Sequence, residues 1–129
     1  MTVRDPKDEI MNQQLAGINN IFKGNTLLLN LIEIEKVSNT IIPDKHDIWT
    51  EGARTILEGL LVYALLSGKV EKEELRGILN ASLYNKRRYL MSAGEKGKQA
   101  LQYLNYCESP LAAMGFNCTL LKYSSSLEL

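Results

Sequence analysis

Asp47-Ile48-Trp49-Thr50-Glu51-Gly52-Ala53-Arg54-Thr55-Ile56-Leu57-Glu58-Gly59-Leu60-Leu61-Val62-Tyr63-Ala64-Leu65-Leu66 is the stretch that decides the fold. Asp47 reads as a helix N-cap, and Glu51 falls in the first turns, where a negative charge meets the positive end of the helix dipole. Trp49, Ala53, Ile56, Leu60 and Ala64 recur at helical spacing along one side. Ile48, Leu57, Leu61 and Leu65 fill a second side. A helix that is apolar nearly all round belongs at the centre of a bundle. Gly52 and Gly59 would each cost about 1 kcal/mol relative to alanine inside it, so the spacing predicts that other helices approach closely there. Ser67-Gly68 closes the helix.

Upstream, Pro43 ends the preceding element, because the residue before a proline avoids the helical region. The stretch from Leu27 to Ile42 carries two patterns. Ile32-Glu33-Ile34-Glu35 alternates like a strand, whereas Leu27, Leu31, Ile34, Val37 and Ile41 follow a helical period over a length unusual for a strand. The longer pattern predicts a helix. Asp5-Pro6 forms a cap-plus-proline start for a first helix, with Met11, Leu15, Ile18 and Phe22 on one stripe and Lys23-Gly24-Asn25 as its stop.

Downstream, Val70 and Leu75 flank a helix start at the spacing of a hydrophobic staple, and that helix is predicted to run to about Ser82. A short basic helix over Asn85 to Met91, a break at Gly94, a helix from Glu95 to Cys107 and a last helix from Ser109-Pro110 complete the chain. The last helix places Ala113, Phe116, Leu120, Tyr123 and Leu127 on one face. The fold class that follows is all-α: a compact bundle of six to seven helices.

With 15 basic and 15 acidic side chains the net charge is zero, which weighs against a dedicated nucleic-acid binder. One histidine and two cysteines, Cys107 and Cys118, give no metal-ligand set. Both cysteines read as small buried hydrophobes in a reducing compartment. No phosphate-binding loop is present, and no cofactor is implied. His46, between Asp44 and Asp47, reads as a solvated residue of the capping loop, with no nucleophile in a recognisable motif beside it. No apolar leader opens the chain and no run reaches the roughly 20 residues of a membrane span, so a soluble, cytoplasmic protein is expected. The end at Ser124-Ser125-Ser126-Leu127-Glu128-Leu129 reads as that of a fragment cut from a longer protein.

Two features invite a binding role. Trp49 is either a contact hot spot or, as its place on the apolar stripe suggests, a core residue. Lys86-Arg87-Arg88, between Tyr84 and Tyr89 and followed by Lys96 and Lys98, interleaves cations with aromatics. That pattern suits phosphate contact with base stacking, and equally a solvated helix face. Lys72 to Ser82 followed by Lys86 to Leu90 also scans as a loose helix-turn-helix, a pattern many unrelated helix pairs share.

Pro43, Asp47, Trp49, Ala53 and Arg54, together with the apolar run from Ile56 to Leu65, resemble the all-α domain of type IV secretion coupling proteins, the TraG/TraD-type ATPases. Asp5-Pro6-Lys7-Asp8-Glu9-Ile10, Ser109-Pro110 and the closing residues are similar to the start and end of that domain. The resemblance implies a helical domain inserted into a RecA-like ATPase that lies outside this sequence. In the family that ATPase is a hexamer under the bacterial inner membrane. The helical domain sits at its cytoplasmic mouth and receives secreted proteins, adaptors or regulators, or DNA with its relaxase. The resemblance implies no catalytic residue here, so the isolated domain is expected to be a monomer without enzymatic activity.

Overall fold

The computed structural model describes residues 22–105, 110–125 and 127. Among these are a two-stranded hairpin, β1 (Phe22–Lys23) and β2 (Thr26–Leu27), and six helices: α1 (Ile34–Ile41), α2 (Ile48–Ser67), α3 (Lys72–Leu79), α4 (Leu83–Met91), α5 (Gly94–Leu104) and α6 (Pro110–Ser124). The fold is an all-α bundle, and α2 is its axis.

The local causes are those read from the sequence. The Asp47 carboxylate accepts from the Thr50 amide at 2.7 Å and from the Thr50 hydroxyl at 3.0 Å, capping α2. At the other end Gly68, with φ 72, returns its amide to the Ala64 and Leu65 carbonyls. Between the caps, Ala53, Ile56, Leu57, Leu60 and Ala64 are fully buried. All five other helices pack on α2. Phe116 and Tyr103 lie over Gly52, and Leu90 and Ala100 over Gly59, so the close approaches predicted at both glycines are present.

The segment before α1 departs from the expected helix over residues 27–42, of which only Ile34–Ile41 is helical. Lys23 and Thr26 instead pair across a two-residue turn whose first position is Gly24 at φ 61. The hairpin is then claimed by the start of α3: the Leu27 amide donates to the Val70 carbonyl at 2.7 Å, and the Lys72 amide to Asn25 at 2.9 Å. Asn30 intervenes next. Its side-chain oxygen accepts from the Ile32 and Glu33 amides, both at 3.0 Å, a local turn that competes with helix. The expected first helix lies outside the described residues, except that Phe22 is in β1.

Smaller shifts have similar reasons. α3 stops at Leu79, where the Asn80 side chain turns back to the Arg76 carbonyl. α4 then starts at Leu83, ahead of Asn85, because Ser82 caps it through the Asn85 amide at 3.2 Å. Cys118 is exposed rather than buried, and Cys107 lies outside the described residues. Among the described residues no helix is long and apolar enough to cross a membrane.

Candidate functional site: an aromatic groove at one end of the bundle

α2 overhangs its neighbours at its first turn. Trp49, expected in the core, keeps 43% of its surface exposed, and Ile48 keeps 56%. The six-membered ring of the indole lies over Gly115 of α6, where even a methyl group would collide with it. Its centroid stands 4.9 Å from that of Phe116. Tyr103 of α5 meets Phe116 edge-on at 5.1 Å.

Ile48, Trp49, Gln102, Tyr103, Ala112 and Phe116 thereby enclose an open groove of about 450 Å³. That volume falls in the range of ordinary ligand sites. Leu111, one turn before Gly115 on the same face of α6, is 76% exposed. Burial, reinforced by the nearby Glu51 carboxylate, pushes the Tyr103 phenol up from its ordinary value. The phenol therefore stays a neutral hydroxyl at physiological pH.

Pro43, Ala53 and Arg54, the other residues that carry the resemblance, do not line this groove. Pro43 is half-buried in the α1–α2 connection and Ala53 is in the core. Arg54 ties that connection down, donating to the Asn39 side chain at 2.8 Å and lying 3.5 Å from Asp44. His46 is 90% exposed at its side chain, as expected of a capping-loop residue.

The five basic candidates do not share a surface. Lys86 is fully buried and hydrogen-bonded to the Asn117 side-chain oxygen. Arg87 turns to the end of α5 and donates to the Leu104 carbonyl from Nε at 3.0 Å and Nη2 at 2.6 Å. Lys96 is held by Glu35 at 2.7 Å and Glu58 at 3.4 Å, joining α1, α2 and α5. Arg88 is exposed, over the ring of Tyr84 at 5.9 Å, and Lys98 is exposed beside Glu95 at 3.9 Å. The groove was not predicted as a site. Its signal was the tryptophan at the very start of an apolar helix, beyond the reach of the next layer.

A second hollow of about 230 Å³ lies between α3 and the end of α6. Of its polar side chains, Asn80, Ser124 and Ser125 bond to nearby helix carbonyls, and Arg76 lines the same hollow. Among the described residues no group of three or more His, Cys, Asp or Glu side chains converges as a metal site would require.

Fold and groove together define an all-α bundle with an exposed aromatic groove at one end. None of the family models, characterised proteins or solved structures compared with this chain matches it.

Proposed function

We propose that this chain is a recruitment domain of a type IV secretion coupling ATPase, working by contact alone, and that the Trp49 groove is where a secreted protein, adaptor or regulator docks. One observation carries the location. The only tryptophan of the chain stands half-exposed against an aromatic wall, with Ile48 exposed beside it and Leu111 exposed one turn from the Gly115 it covers. Contiguous exposed apolar surface marks contact sites, and tryptophan is the residue most enriched among those that dominate binding energy. Recruitment as the task, and a RecA-like hexameric parent as its setting, come from the resemblance of the Pro43 to Arg54 segment.

Selection of displayed random 15-residue peptides on the purified protein tests this reading. Peptides are expected to be enriched, and Trp49→Ala is expected to weaken them by about 30-fold, the effect of losing a hot spot of about 2 kcal/mol. A circular dichroism spectrum and melting curve of the variant control for folding. Enriched peptides that bind Trp49→Ala as well as the parent would place recruitment elsewhere on the bundle.

A nucleic-acid reading retains one favourable feature, the exposed Tyr84–Arg88 pair, which presents a ring and a cation side by side. With Lys86, Arg87 and Lys96 engaged inside the protein, too few cations remain for tight phosphate binding. No shift of single-stranded or duplex DNA is therefore expected at about 0.15 M salt. A shift abolished by Arg88→Glu with Lys98→Glu would overturn that expectation.

A further inference from the structure

The groove has a chemical preference beyond its shape; this inference rests on the recruitment reading. Three rings border one space. Phe116, 3% exposed, is the floor, with Trp49 tilted 46° against it and Tyr103 at 75°. Ring faces carry negative potential and attract cations, and guanidinium groups stack on them.

The charges around the groove point the same way. Glu51 is exposed, makes no ion pair among the described residues, and lies close enough to Tyr103 for its charge to act on the phenol. Asp47 adds a second negative charge at the start of α2 while capping Thr50. Lys45 lies over the Tyr123 ring and also acts on the Asp47 charge, so Glu51 is the acid left to the groove, while Arg54 is beside Asp44 and Lys98 beside Glu95. The α6 wall carries no charged side chain from Pro110 to Leu121. The groove is thus aromatic and open, with the Glu51 carboxylate near its Tyr103 side.

We propose that the groove takes an arginine or lysine side chain of the partner protein, lodged between Trp49 and Tyr103 with its charge facing Glu51. An apolar neighbour of that residue would cover Ile48 and Leu111. A glutamate or aspartate at the same position would meet Glu51 and the ring faces and be rejected.

Trp49 is the sole tryptophan, so its fluorescence reports this groove without interference. N-acetylarginine amide and N-acetyllysine amide, titrated into the intact chain, are expected to change its emission saturably. The leucine, glutamine and glutamate amides are expected to require far higher concentrations. Glu51→Gln, an exposed substitution that leaves the core untouched, should weaken the arginine amide about three- to tenfold, and added salt should act in the same direction. Saturation by leucine amide at or below the concentration needed for arginine amide overturns the cation preference. So does an unchanged arginine affinity in Glu51→Gln, or the absence of any saturable arginine response. Each of these leaves recruitment standing if selected peptides still depend on Trp49. Peptides indifferent to Trp49 would instead sink the recruitment site while the amide titration still answered the cation question.

Discussion

Replacing Lys86 with methionine is expected to make the protein more stable at pH 7, by about 2–3 kcal/mol. Lys86 is fully buried, and its partner is the neutral side chain of Asn117. Burial without a neighbouring carboxylate lowers its pKa from the ordinary 10.5 to about 8. Such a shift corresponds to about 3 kcal/mol of penalty on the charged form. The sign follows from proton counts. Between about pH 8 and 10.5 the unfolded chain binds more protons at this site than the folded one, so its contribution to stability rises with pH across that window. Below about pH 8 both states are charged and the penalty is present in full. Methionine keeps the length and fills the space, while Asn117, only partly buried, retains access to water. Urea denaturation of both forms at pH 7 and pH 10 measures the effect. The gap between them should shrink at the higher pH, and a less stable Lys86→Met at pH 7 would show that the ammonium is better satisfied than its surroundings suggest.

Gly97→Ala is expected to be the most damaging glycine-to-alanine change among the described residues. Helix propensity alone favours alanine by about 1 kcal/mol at this interior position of α5. The new methyl would overlap the Leu90 carbonyl oxygen and lie 2.9 Å from the Ala93 methyl. The obstacle is backbone at the end of α4, so relief requires α4 and α5 to part. Overpacking costs of this kind are typically about 1–3 kcal/mol, and a displaced backbone puts this site at or above the upper end. Gly77→Ala in α3 is the control. An added methyl there meets nothing within 4 Å, and the change should be neutral or stabilise by up to about 1 kcal/mol. Urea titrations of the two variants should therefore move in opposite directions. A Gly97→Ala protein as stable as the parent would mean that the α4–α5 corner is looser than described.

The contrast between these residues shows what was legible in the sequence. α2 could be read because each of its signals was local: Asp47 and Gly68 at the ends, apolar side chains on both sides, glycines where neighbours come close. The hairpin could not. The Leu27 amide bonds to Val70, a partner far along the chain, and no window around Leu27 contains that information. The basic cluster misled for a geometric reason. Successive residues of a helix turn by about 100°, so Lys86, Arg87 and Arg88 point in three directions: into the core, to the end of α5, and to solvent. Trp49 was placed inward because its stripe is continuous with Ala53 and Ile56. The stripe outruns the layer that covers it, and periodicity along one helix does not say where its neighbours end.

Arg87 gives this arrangement an unusual sensitivity. Its two bonds end on Leu104, the residue after Tyr103, so α4 braces one bank of the aromatic groove from the rear. Inverting the charge at Arg87 is therefore expected to loosen that bank, and to weaken any peptide that docks in the groove, without a direct contact from the guanidinium. A map of the docking footprint drawn from such reversals would reach one helix too far. Arg88 and Lys98, free of this bracing duty, are the positions at which a lost charge reports an outside contact.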